Sequence, residues 1–173
     1  ALENDQYMLS LHTELYHVAS YLELEQARFE EKLAVELDVE DDLNCKVPSF
    51  ILQPLVENAV RHGGDRTGAR HVSISAHSVD GMAEIAVSDR GQGIPREVVL
   101  SLYTGLGKGV GLSNVHKRLK SIYGEDNGLK IETSESGSRV WFRIPLEPEE
   151  SPDPSRKIKQ EVSCNEDLSL IHI

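Results

Sequence analysis

The chain has 173 residues, enough to bury one core, and its 39% hydrophobic and 27% charged content is that of a globular protein. A net charge of -11, from 29 acidic against 18 basic residues, excludes a general nucleic-acid binder and requires any anionic ligand to be met by a cation or by backbone N–H groups. Cys45 and Cys164 lie far apart without metal or redox spacing, no run of about 18 apolar residues could span a membrane, and the opening ALENDQ is not a signal peptide. These features suggest a cytoplasmic setting and, with no initiator Met, a piece of a longer parent whose own attachment to an inner or plasma membrane this segment leaves open.

In chain order, Leu11, Leu15, Val18, Leu22 and Phe29 recur at helical spacing between about Glu3 and Glu31, which predicts a long amphipathic helix able to pair with another helix. KLAVELDVE alternates Leu33, Val35, Leu37 and Val39 with charged neighbours, the period of a half-buried strand. DDLNCKVP reads as a connecting loop, and Pro48 followed by Ser49 as the opening of the helix ILQPLVENAVRHGG. HVSISAHS and MAEIAVS alternate as two strands around the turn VDG, a hairpin. DRGQGIP breaks the pattern, and REVVLSLYTGLGKG reads as a short helix followed by a glycine-rich flexible loop. VGLSNVHKRLKSIYG is a helix ended by Gly124, and LKIETS, ESGS and RVWFRIP close a second hairpin. The order fits an α+β two-layer sandwich, one mixed sheet with helices on a single face. Residues 1–31 then form a helical lead-in, 32–147 the domain, and 148–173, opening on the proline- and charge-rich EPEESPDPSRK, a disordered or foreign tail.

Three stretches carry chemistry. Ile51, Leu55, Asn58 and His62 fall on one stripe of their helix, with Arg61 along its edge. A buried amide without partners costs roughly 1–3 kcal/mol. Asn58 is therefore either a core asparagine satisfied by a neighbouring loop or a ligand for a hard cation, with Arg61 or His62 meeting phosphate. Asp89 comes directly off a strand, with Gly91 and Gly93 following. A carboxylate there can accept from an exocyclic amine while the glycines let a flat ring approach the backbone, although an ordinary Asp-containing turn accounts for the same residues. Gly105, Gly107, Gly109 and Gly111 precede a helix, an arrangement that offers N–H groups and a helix dipole to phosphate, or else a mobile surface loop. It is no P-loop, and Leu112 stands where a dinucleotide fingerprint built on Gly107 and Gly109 needs glycine or alanine.

Taken in this order and spacing, the three stretches resemble the N, G1 and G2 boxes of the GHKL ATPase superfamily. YLELEQARF, VPSFILQPLVENAVRHG, DRGQGIP and GVGLSNVHKRL further resemble the catalytic domain of LytS-type sensor histidine kinases over about residues 10–146. The resemblance implies the Bergerat α/β sandwich and the ATP-binding catalytic region of a bacterial two-component kinase, which donates the γ-phosphoryl of ATP to a histidine on a separate upstream helix. It implies that Asn58 holds Mg²⁺ bridging the ATP phosphates and that Arg61 and His62 contact phosphate or ribose. Asp89 would read the adenine amino group in a pocket shaped by Gly91 and Gly93. Gly107, Gly109 and Gly111 would form a flexible lid, with Leu112 at the start of the helix facing the phosphates and Lys108 adding a phosphate contact.

ATP-hydrolysing branches of the superfamily carry a water-activating glutamate four residues before the asparagine, where this chain has Pro54. Glu57 adjoins Asn58 but is about 100° away around the helix, which leaves open a catalytic part in polarising the acceptor imidazole. His12 and His17 match no phosphoacceptor motif and read as helix-surface residues. The implied partners are ATP, the phosphoacceptor helix of the same or a partner subunit, and a downstream response regulator, within a homodimeric parent. No nucleic acid and no membrane contact by this segment are implied. A regulatory nucleotide-binding module without phosphotransfer and a serine kinase of the anti-sigma-factor type are the alternatives, and LQPLVENAVRHG favours the LytS side.

Overall fold

Ser10 sets where the first helix begins: its hydroxyl accepts from the Thr13 N–H at 3.2 Å, a side-chain N-cap. In the computed structural model, which describes residues 7–105 and 110–147, strand β1 (Met8–Ser10) therefore precedes helix α1 (Leu11–Phe29). The helix starts later than the apolar spacing predicts, because Met8–Ser10 pairs antiparallel with β3 (Lys46–Pro48), inside the stretch read as a plain loop. Three-residue strands are too short to show a period. Leu11, Val18 and Leu22 of the α1 stripe pack into the core of this same chain, together with residues of the second helix and the sheet.

After a single 3₁₀ turn (Glu30–Lys32), β2 (Leu33–Val39) pairs parallel with β4 (Arg70–Val79). Antiparallel pairing then adds β5 (Met82–Asp89), β7 (Gly137–Pro145) and β6 (Lys130–Ser134), giving a mixed five-stranded sheet of order β2-β4-β5-β7-β6. Asp80 and Gly81, at φ 52 and 77, make the two-residue turn between β4 and β5, the left-handed geometry that matches strand twist. Helices α2 (Gln53–His62), α3 (Arg96–Thr104) and α4 (Val110–Tyr123) lie between the strands in sequence. The second helix starts at Gln53 instead of directly after Pro48, because residues 49–52 turn before entering it.

Alternation sends Val72, Ile74, Ile85, Val87 and Phe142 to one face of the sheet, into a single core with Leu55, Val56 and Val60 of α2 and Val115 and Leu119 of α4. Helix α4 is further fixed by His116, whose Nδ1 accepts from the Leu129 N–H at 3.0 Å. Burial, reinforced by Lys120 and Lys130, pushes the His116 pKa down and keeps the ring a neutral acceptor. The other sheet face carries charge instead of helices. Glu84 accepts from Arg139 at 2.6 Å and Arg143 at 2.9 Å, and both guanidinium groups lie 5.3 Å from the Trp141 ring centroid. Burial alone would raise the Glu84 pKa, yet the two arginines outweigh it and hold the carboxyl below its ordinary value. The architecture is the expected mixed sheet with helices on one face.

Candidate nucleotide-binding site

Two adjacent faces of α2 divide its work. Leu55, Val56, Ala59 and Val60 are buried against the sheet. Pro54, Glu57, Asn58 and Arg61, spaced i, i+3, i+4 and i+7, line a cavity of about 640 Å³. This corrects the single-stripe expectation in two respects. Ile51 and Leu55 go to the core whereas Asn58, half-buried, goes to the cavity, and Glu57 shares the cavity face instead of turning away from it. The helix period places residue 58 between these two faces, and only the position of the cavity decides which one claims it. Among the described residues no hydrogen bond occupies the Asn58 amide, so the satisfied core asparagine is not what is found. Gln53 Nε2 donates to Glu57 Oε1 at 3.3 Å along the same face. His62 lines the cavity at the exposed end of the helix.

Across the cavity stands the end of β5. Asp89 Oδ1 accepts from the Gly91 N–H at 2.9 Å, and the backbone N–H of Ser138 also favours its charged form. Burial pushes the Asp89 pKa up, and these two N–H groups only partly offset it. Ser138 faces Asp89 in the β5–β7 register and is itself buried. Its hydroxyl pairs with Thr133 Oγ1 at 2.9 Å, and that oxygen accepts from the Ile94 N–H at 2.7 Å, tying the loop after Asp89 to the sheet. The glycines of this wall are required by close approach. A Cβ on Gly91 would stand 2.7 Å from the Gly63 carbonyl carbon, and one on Gly63 would stand 2.7 Å from Asp89 Cβ. The C-terminal end of α2 thus abuts the Asp89 turn without room for a side chain. Gly93, at φ 86, lines the cavity directly, whereas Gly91 backs it.

Val98, Ser101 and Leu102 of α3 and Gly111 and Leu112 of α4 complete the cavity, so α4 presents its N-terminal end to it. Gly107, Lys108 and Gly109 of the expected lid, and the tail from 148 onward, lie outside the described residues. The remaining candidates, Glu57, Asn58, Arg61, His62, Asp89, Gly91, Gly93, Gly111 and Leu112, come together around the cavity. Sequence reasoning missed Ser138 and Gly63. Ser138 carries no local signal, since only the β5–β7 register brings it to Asp89. Among the described residues no group of three His, Cys, Asp or Glu side chains could hold a metal alone.

Residues 48–148, from the end of β3 to just past β7, match the family described as histidine kinase-, DNA gyrase B-, and HSP90-like ATPase, over more than half of the chain. The chain belongs to this ATPase family. Among curated relatives, the sensor histidine kinase YpdA of Escherichia coli is 40% identical over 144 residues, 82% of this chain and 25% of that protein. The sensor protein LytS of Oceanobacillus iheyensis is 34% identical over 147 residues, 80% of this chain and again 25% of the relative. The chain thus spans about a quarter of the length of these relatives. Among solved structures, the nucleotide-free catalytic domain of histidine kinase ThkA gives a TM-score of 0.65 at 20% identity, covering 83% of this chain and 98% of that one. The kinase domain of the blue-light activated histidine kinase from Erythrobacter litoralis EL346 gives 0.61 at 20% identity, covering 84% and 65%. At such identities the likeness is one of fold, and the expected sandwich is that fold. The matched segment of this ATPase family begins at the turn that opens α2 and contains both walls of the cavity.

Proposed function

We propose that the chain is the ATP-binding catalytic region of a bacterial two-component sensor histidine kinase, one that takes Mg-ATP and donates its γ-phosphoryl to a histidine on a separate upstream helix. The observation that carries this is the cavity itself, lined together by Asn58 of α2, Asp89 at the end of β5 and the N-terminal end of α4. The sensor-kinase names of the relatives support the same reading over the regulatory module and the serine kinase.

In this reading Asp89 accepts a hydrogen bond from the adenine amino group, and Gly91 and Gly93 keep side chains out of the plane of the base. Arg61 and His62 meet phosphate or ribose. Lys108 and the glycines 107, 109 and 111 would contact the phosphates, and Leu112 would stand at the start of the helix that faces them. A lone amide oxygen suits Mg²⁺ that arrives with its nucleotide, since that ion is ordinarily held by one or two protein ligands together with phosphate oxygens and water. Asn58 would hold it, and the ion would supply neutralisation of phosphate charge that a protein of net charge -11 lacks.

Pro54 occupies the place of a water-activating carboxylate, so water is not activated there and the γ-phosphoryl waits for the imidazole. The imidazole nitrogen lone pair forms the N–P bond as the bond to the ADP oxygen breaks. Glu57, which lines the cavity, would polarise that imidazole. Residues 1–31 would lead from the phosphoacceptor region of a cytoplasmic, homodimeric kinase core, and residues 148–173 would take no part. A response regulator would take the phosphoryl group next, in keeping with the solved complex of ThkA with the response regulator TrrA.

Calorimetric titration of Mg-ATP tests the pocket: Asn58→Ala and Asp89→Asn should each weaken binding, and unchanged affinity in both ends the nucleotide reading. For the kinase step, label from the γ-position of ATP should pass to a separately supplied histidine-bearing helical segment of the parent. ATP binding without transfer would favour the regulatory module.

A further inference from the structure

Helix α2 carries Asn58 and Arg61 yet has no cap of its own. Leu52, at the N-cap position, offers no hydrogen-bonding side chain, and Pro54 in the first turn has no N–H. The turn leading into the helix is instead held from α1. Glu14 is 1% exposed, and its two carboxylate oxygens accept from the N–H groups of Phe50 and Leu52, each at 3.2 Å. Phe50 stands at φ 59, a left-handed conformation that a bulky residue keeps only when its surroundings hold it. Its ring stacks on His17, one turn along α1 from Glu14, with centroids 6.2 Å apart and planes inclined by 15°. From the other side Arg118 of α4 donates to the Ser49 carbonyl at 3.0 Å. Residues 49–52 are therefore the joint at which α1, α2 and α4 meet.

A leucine at position 14 would serve the core as Val18 and Leu22 do, and a buried carboxylate is costly unless its lone pairs are met. What the carboxylate adds is a grip on two backbone amides at once, with negative charge beside the positive end of the α2 dipole. We propose that Glu14 is a positioning residue of the nucleotide site. By fixing the turn at Phe50–Leu52 it sets the placement of the start of α2, and with it Asn58 and Arg61, while the Asp89 wall is anchored by β5 and β7 and meets α2 only at its far end, at Gly63. This rests on the nucleotide reading given above. It also makes the position of α1 an input to the site, since moving α1 moves the acceptor that holds α2 in place.

The test compares Glu14→Gln and Glu14→Ala with Val18→Ala, a core control on the same helix, and with Asn58→Ala, a control in the site. Each full-length variant is titrated with Mg-ATP and with adenosine, which reaches only the Asp89 wall. Glu14→Gln should weaken Mg-ATP by about tenfold while adenosine affinity stays within about twofold, because misplacing a binding group by even an ångström is costly. Val18→Ala should lower the unfolding midpoint and leave both ligands bound as before. Parallel loss of both ligands in Glu14→Gln, or loss of neither, overturns the assignment. If Asn58→Ala weakens Mg-ATP and Glu14→Gln does not, Glu14 alone is misassigned; if Asn58→Ala has no effect, the nucleotide reading falls and takes the Glu14 role with it. Should the Glu14 variants not fold, hydrogen exchange on the unaltered chain decides. Mg-ATP should slow the Phe50 and Leu52 amides at least about tenfold more than Ile131 in β6, and equal protection overturns the proposal.

Discussion

In the proposed reading, Asp89 serves binding at a cost to the fold itself. Burial raises its pKa above the ordinary 3.8, and the Gly91 and Ser138 N–H groups recover only part of that. A carboxyl whose folded pKa lies above its unfolded one stabilises the protein at low pH and loses that contribution as pH rises through the folded value, so at pH 7 its ionisation works against folding. Asp89→Asn removes this charge. The nucleotide-free variant should unfold at the same or a higher temperature than the parent, while its Mg-ATP affinity falls on the order of 10- to 100-fold, the worth of a hydrogen bond to a charged group. Thermal unfolding and calorimetry on one preparation check both halves, and a drop in unfolding temperature would make Asp89 a structural residue. At this scale the sequence exposed residues whose oddity is local: Asn58 in an apolar helix, Asp89 at a strand end before glycines. Ser138 stayed hidden because its part depends on pairing with Asp89 from a different strand.

Between elements, α2 meets the turn after β5 in close contact, and two neighbouring glycines separate contact from backbone flexibility there. A Cβ on Gly63 would collide with the Ala59 carbonyl oxygen of its own helix and stand 2.7 Å from Asp89 Cβ, whereas one on Gly64 would meet the Arg70 guanidinium at an ordinary 3.5 Å. Gly63→Ala should therefore push the end of α2, with Arg61 and His62, away from Asp89, costing about 1–3 kcal/mol of stability as overpacking does and weakening Mg-ATP several-fold. Gly64→Ala should stay within about 0.5 kcal/mol and bind as the parent does. Urea unfolding and ligand titration of the pair test this, and equal effects would mean that chain flexibility, not contact, explains the glycines. The elements themselves were legible where a period had room to repeat, as in α2, α4 and both hairpins. The β1–β3 ribbon was not, since three residues fit a strand, a turn or a helix end equally well. Which face of α2 met the cavity also depended on β5, α3 and α4, and no pattern within the helix contains them.

Over the whole molecule, the apolar stripe of α1 showed that some surface must cover it but could not name that surface. The structure covers it from within: Leu11, Val18 and Leu22 are each at most 2% exposed in the same core as the sheet. The helix that would join this domain to its upstream partner is thus also part of the wall behind the nucleotide site, through Glu14 and the turn at Phe50–Leu52. Burial of such side chains is worth about 1.5–3 kcal/mol each, and three of them amount to a large part of the roughly 5–15 kcal/mol that holds a domain of this size together. A chain starting at residue 32 should accordingly lose cooperative unfolding or melt far below the parent, and it should not bind Mg-ATP at temperatures where the parent does. Circular dichroism melts and the same calorimetric titration would show it. A truncated chain that melted like the parent and bound Mg-ATP as tightly would instead make α1 an independent lead-in, and no displacement of α1 could then reach the site through the core.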